Sequence, residues 1–199
     1  MPAKGSGMLG ITGTPGTGKK SIAPIVAKLL GTKCLNLNEV AKSYGLVTGR
    51  SGSVDTQKLR ARLKGDFSGN AVVYGHLLPY VISSSALSKV IVLRCQPGVL
   101  KERLRLRGYS PSKIIENVEA ELIGVVSSDA FDTYGRAKTQ EVDTTNASPA
   151  EAASAVIEAA ASRQRETPRI DWTLDYDSGA KLRHLLSTTG GGRGVSPRP

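Results

Sequence analysis

The chain has 199 residues, 39% hydrophobic and 22% charged, which suits about one folded domain and excludes a mostly disordered chain. Lys and Arg number 27 against 17 Asp and Glu, and the resulting +10 favours anionic partners such as nucleotides or RNA. No apolar run approaches the roughly 20 residues of a membrane helix, and Met1–Gly10 does not read as a signal peptide, so membrane and secreted classes are not expected.

Aromatics are only 5%, a poor supply for base-stacking surfaces. Cys34 and Cys95 stand in no CxxC and near no His, so they read as small core residues of a reducing, cytoplasmic (or, in a eukaryote, nuclear) setting.

In chain order, Met8–Ile11 reads as the first strand and Lys19–Leu30 as the first helix. Between and into them runs Gly13-Thr14-Pro15-Gly16-Thr17-Gly18-Lys19-Lys20-Ser21, a glycine-rich turn in the strand–helix context of a phosphate-binding loop. Such a loop aims backbone N–H groups, at Gly16 and Gly18 among others, at one anion, and the helix N-terminus adds partial positive charge. Lys19 reaches the β- and γ-phosphates in this reading. The hydroxyl that normally holds Mg²⁺ directly follows the lysine; here Lys20 takes that place and Ser21 comes one later.

Cys34–Leu37 reads as a second strand, and the polar stretch from Asn36 to Asp55, with Gly45, Gly49 and Gly52, as a mobile second-substrate segment. Arg50 either pairs with a monophosphate or has no role, while Asp55 is expected to cap the helix Thr56–Lys64. Ala71–Tyr74 reads as a third strand, and His76 just beyond it either hydrogen-bonds a phosphate or is satisfied by turn backbone. Val90–Arg94 reads as a strand that brings Arg94 to its end, and the helix Pro97–Arg107 sets Arg103 and Arg107 four apart on one face. Two guanidinium groups so placed suit bidentate phosphate binding; the bland alternative is a solvated basic face shared with Lys101 and Arg105. One helical pattern covers Pro111–Arg136, Glu141–Asp143 reads as the last strand, and Ser148, Pro149 and Glu151 mark the start of a helix to Ala161. Alternating strands and helices predict a parallel sheet covered on both faces, with ligands at the carboxyl ends of the strands. Beyond Arg163 the chain becomes an extension, in which Ile170, Trp172 and Leu174 can dock one apolar strip, and from about residue 187 it is expected to be disordered.

The run Arg107-Gly108-Tyr109-Ser110-Pro111-Ser112-Lys113-Ile114-Ile115-Glu116-Asn117-Val118-Glu119-Ala120-Glu121 resembles the lid of the archaeal and nuclear adenylate kinases of the coilin-interacting NTPase type. Val92-Leu93-Arg94, Glu102-Arg103-Leu104, Leu35-Asn36-Leu37-Asn38-Glu39-Val40-Ala41, Val54-Asp55-Thr56, Gly75-His76 and Val142-Asp143-Thr144-Thr145 match in the same order, over about residues 8–162. The resemblance implies an α/β P-loop kinase fold: a five-stranded parallel sheet flanked by helices, a nucleoside-monophosphate (NMP) segment over about 36–55 and a short lid over about 106–116. Residues 1–162 would form this domain and 163–199 a C-terminal extension.

It further implies transfer of the γ-phosphate of ATP to AMP with Mg²⁺, some ATPase activity, and work in small-ribosomal-subunit maturation beside a subunit protein or rRNA. Lys19, His76 and Arg107 would be catalytic. Gly16, Gly18, Lys19, Lys20, Ser21 and Arg107 would hold ATP, Arg103 a phosphate at the lid, Ser21 the metal, and the Thr145-Asn146-Ala147 backbone the adenine. The family carries a carboxylate-x-His motif where this chain has Tyr74-Gly75-His76, so its acid is missing. The alternative is an ATP-switched assembly factor with little kinase turnover; a different small-molecule P-loop kinase, for shikimate or a nucleoside, fits the lid motif less well.

Overall fold

The sheet is built from the inside out around the first strand, β1 (Met8–Thr12). The structure, a computed structural model, describes residues 7–48, 53–63, 70–162 and 168–187. β1 pairs in parallel with β5 (Ala71–Tyr74) on one side and β6 (Leu87–Arg94) on the other. β2 (Lys33–Asn36) and β7 (Thr139–Asp143) close the two edges, giving the order β2-β5-β1-β6-β7. All five residues of β1 are buried, as expected of a strand covered on both faces.

On one face, α1 (Lys19–Leu29) and α8 (Pro149–Ala161) bury Ile22, Val26, Ala153 and Val156 on Leu9, Ile11, Val72 and Ile91. On the other, α3 (Thr56–Leu63), the one-turn helix α4 (Leu78–Val81) and α7 (Val125–Tyr134) cover Met8, Val73, Val90 and Val92. A third apolar cluster lies beyond the carboxyl end of β6, where α5 (Pro97–Leu106), α6 (Pro111–Leu122) and α9 (Gly179–Leu186) meet. The expected capping box of α8 is present: Glu151 N–H donates to the Ser148 hydroxyl at 3.3 Å and Ser148 N–H to the Glu151 carboxylate at 2.8 Å. A cap of this kind contributes about 1 kcal/mol.

Three sequence expectations need correction. The pattern over 111–136 is two helices, because Gly124 adopts a left-handed φ of +69° between them while the apolar periodicity continues through it. The stretch after β2, read only as a mobile segment, carries regular structure: Asn36 accepts from Asn38 N–H at 3.0 Å and opens α2 (Leu37–Ser43). The chain then forms a small antiparallel ribbon, β3 (Val47–Thr48) with β4 (Ser53–Val54). Finally, Leu174 does not dock. Residues Trp172–Tyr176 form a 3₁₀ helix, in which alternate residues do not share a face, so Leu174 is 74% exposed while Trp172 and Tyr176 face the body. Arg50 and the segment 188–199 lie outside the described residues.

Candidate active site

Two glycines shape the loop that joins β1 to α1. Gly13 has φ +140°, and a Cβ there would stand 2.4 Å from the Leu93 carbonyl oxygen; Gly16 has φ +99°, and its Cβ would meet Leu100 Cδ1 at 2.5 Å. The backbone of the loop is therefore pressed against β6 and α5, and a side chain at either position would push it away. The loop threonines point inward. Thr17 Oγ1 donates to Thr14 O at 2.9 Å, and Thr144, just past β7, donates to Thr17 O at 2.9 Å. Thr14 Oγ1 donates to Glu121 Oε2 at 2.5 Å.

Lys19 begins α1 and curls over this loop, donating to the carbonyls of Gly13 at 2.5 Å and Thr14 at 3.0 Å. Burial pushes its ammonium down to about 7, the nearby Arg107 guanidinium adds to the depression, and Glu121 opposes it. Gly75 N–H donates to Ile11 O at 3.1 Å, which sets the end of β5 beside the end of β1 and brings His76 to the same edge. Burial, then the Lys19 charge, lowers the His76 pKa, so the ring is neutral near pH 7. Arg107 caps the carboxyl end of α5 and is exposed. Its backbone N–H donates to Leu104 O at 3.1 Å, while its guanidinium makes no hydrogen bond or ion pair among the described residues. Lys19, His76 and Arg107 thus share one electrostatic neighbourhood. Lys20 and Ser21 are exposed on the first turn of α1.

Other residues singled out in the sequence are engaged elsewhere. Arg103 donates to the carbonyls of Thr144 at 2.8 Å and Thr145 at 2.9 Å, and to Cys95 Sγ at 3.4 Å. It therefore holds the turn in which Thr145 N–H donates to Asp143 Oδ1 at 2.8 Å. Burial pushes the Cys95 thiol up to about 11, and both cysteines are free. Asp55 caps α3, accepting from Lys58 N–H at 3.0 Å. Arg94 is no phosphate ligand. It is 2% exposed and neutralised by Glu121 at 2.9 Å and Glu141 at 2.5 Å, because a guanidinium at the buried end of a central strand must be paired where it stands.

Tyr74, at the acidic position of the resembled motif, is 8% exposed and packs with the core on the α1 side of the sheet. Burial, then the neighbouring Cys34 and Glu39, raises its phenol, against a hydrogen bond with Asn36 that lowers it. A neutral buried phenol is no ligand for Mg²⁺, and Asp55 and Asp143 are occupied as a cap and a turn. Among the described residues the loop itself offers the Ser21 hydroxyl, which fits a metal held chiefly by nucleotide phosphates.

Sequence reasoning missed the roles of Glu121, Glu141 and Tyr176, and it foresaw Trp172 as an apolar docking residue but not as a donor to Glu121. For Glu121 the signal was present: it lies on the stripe Ile114, Val118, Glu121, Leu122, where a carboxylate on an apolar helix face implies a buried partner.

Residues 9–124 match the protein family described as "AAA domain". A Pyrococcus furiosus protein named "Putative adenylate kinase" is 38% identical over 173 residues, covering 85% of this chain and 93% of that protein. Its namesake in Natronomonas pharaonis is 40% identical over 156 residues, covering 74% and 88%, and that of Methanocaldococcus jannaschii 31% over 175 residues, covering 84% and 94%. Among solved structures, a gluconokinase from Sinorhizobium meliloti 1021 superposes with TM-score 0.52 at 19% identity, over 87% of this chain and 98% of that one. A shikimate kinase from Bacteroides thetaiotaomicron gives 0.51 at 16%, over 78% and 97%. These two likenesses show the α/β P-loop kinase fold alone. With its phosphate loop, its sheet order and relatives aligned over most of its length, the chain belongs to the archaeal-type adenylate kinase family of P-loop proteins.

Proposed function

We propose that the protein transfers the γ-phosphoryl group of ATP to AMP, reversibly, giving two ADP. The observation that carries this reading is the meeting of Lys19, His76 and Arg107 around one strand–loop–helix turn, in a chain whose relatives bear the adenylate kinase name. An oxygen of the AMP phosphate attacks the γ-phosphorus, the bond to the β,γ-bridging oxygen breaks, and ADP leaves with that electron pair. Such a reaction asks mainly for alignment and for positive charge around the moving group. Loop N–H groups from Gly16 to Gly18 cradle the β-phosphate. Lys19 exchanges its two loop carbonyls for phosphate oxygens, and Arg107 approaches from the lid over about 106–116. Neutral His76 donates a hydrogen bond at the acceptor edge, while Ser21 and the phosphates hold Mg²⁺, which offsets charge on the β- and γ-oxygens when bound. Arg103 acts one step back, fixing the Thr144–Thr145 backbone against which the adenine lies. α2 and the β3–β4 ribbon, within about 36–55, form the AMP side.

A coupled assay with AMP, CMP, UMP, GMP and water as acceptors tests the reading. AMP is expected to be preferred severalfold or more over the other nucleotides and over water, and ADP release no faster with AMP than with water alone overturns the kinase assignment. The +10 charge favours a second reading, an ATP-switched factor on the small ribosomal subunit. Capture of subunit rRNA or protein at low salt, gained or lost with ATP, supports it; no ribosomal component under either condition removes it.

A further inference from the structure

Glu121 is 1% exposed and joins three parts of the chain. Its Oε2 accepts from Thr14 in the phosphate loop at 2.5 Å. Its Oε1 accepts from Arg94 Nε and from Cys95 N–H, both at 2.9 Å, at the end of the central strand β6. The same oxygen accepts from Trp172 Nε1 at 3.2 Å, from the extension beyond the kinase fold. Arg94 returns the link, donating to Glu121 O at 3.0 Å and to Ile170 O at 3.0 Å, while Ile170 N–H donates to Glu141 at 2.5 Å. Four residues on, the Tyr176 hydroxyl accepts from Gln96 Nε2 at 2.7 Å and Gly98 N–H at 3.1 Å. That pins the start of α5, whose Leu100 is the side chain lying against Gly16. The extension therefore reaches the phosphate loop twice, through a buried carboxylate and through a packed leucine.

We propose that Glu121 is a positioning residue for the phosphate loop, and that the extension over 168–187, through Trp172, sets where that carboxylate holds Thr14. The inference rests on the reading of the loop as the ATP site. A carboxylate with donors from three elements has one place where all are satisfied, and losing one lets it settle elsewhere by tenths of an ångström. Positioning shifts of that size are felt in binding and turnover. Because Trp172 is the only tryptophan in the chain, it is also a built-in optical probe of this linkage.

Trp172→Phe keeps an aromatic ring at this position and removes the N–H donor together with the five-membered part of the indole. In the full-length protein it is expected to raise the ATP KM roughly three- to tenfold with the AMP KM unchanged, as expected for a loop that touches one substrate. A contact that serves stability alone would lower the active fraction and leave both KM values where they are. In the otherwise native chain, ATP is expected to change Trp172 emission with the half-saturation found by calorimetry, and Thr14→Val to suppress that change while ATP still binds. A folded Trp172→Phe with a wild-type ATP KM overturns the inference. If that variant does not fold, Thr14→Val decides: an emission change persisting at full size overturns it. The kinase reading fails separately, by an absence of ATP binding in calorimetry, which would remove both.

Discussion

Two clusters of positive charge lie at the carboxyl end of this sheet, and they are treated in opposite ways. Arg94 is buried and saturated, with two carboxylates and two backbone carbonyls around one guanidinium. Lys19 and Arg107 have no carboxylate salt bridge among the described residues; the amine leans on two loop carbonyls and the guanidinium on nothing. The first arrangement is what a cation needs in order to be part of a core. The second leaves charge available for an anion that arrives later, at the cost of an ammonium depressed chiefly by its burial and further by the Arg107 charge. Pairing state, more than residue type, separates the framework cation from the working ones.

The sharpest way to break that contrast is to leave the buried side unpaired. Arg94→Ala strands Glu121 and Glu141 in the interior and is expected to cost about 3–5 kcal/mol of folding stability, read from denaturant midpoints. A variant as stable as wild type would show that the pair is not needed. On the other side, Lys19→Ala should fold normally and lose roughly a hundred- to a thousandfold in kcat. Normal turnover in a folded Lys19→Ala protein would remove the loop from the chemistry.

Acidity sharpens the comparison further. Free Lys19 titrates at about 7, and a bound triphosphate raises it, so binding takes up a proton only where the free amine is already neutral. Calorimetry in buffers of different ionisation enthalpy should show uptake approaching one proton near pH 8 and falling away below pH 6.5. Equal uptake at both ends would mean that the amine is not linked to the anion. The smallest effect concerns the metal. Tyr74→Asp, in a variant shown to be folded, is expected to lower the Mg²⁺ concentration for half-maximal activity a few-fold, by supplying the acid that this strand end lacks. An unchanged Mg²⁺ titration would show that another group already does that work.

The two clusters also differ in how far the sequence discloses them. The loop Gly13–Ser21 is contiguous, its glycines and lysine fall at fixed offsets, and the strand before it is an unbroken apolar run, so both element and chemistry can be read directly. His76 and Arg107 are legible as residues at strand and helix ends, though not that they face Lys19. Arg94 misleads, because its partners Glu121 and Glu141 lie 27 and 47 positions away and no local pattern links them. The docking of Tyr176 on Gln96, 80 positions back, is equally hidden. α2 escapes notice because its seven residues carry too few apolar positions to show a period, and the break at Gly124 because Ile123 and Val125 carry the period across it.

The sheet order has a consequence for how the protein is made. β1 leaves the ribosome first, yet its two partners begin only at Ala71 and Leu87. A strand destined for full burial therefore waits while roughly 60 further residues are added before its first neighbour exists, and longer before its second. During that interval its backbone groups and side chains are open to any other extended chain nearby. Newly made copies crowded on one message would be at greatest risk of pairing with each other at this strand, and slower elongation ahead of Ala71 would lengthen the exposure.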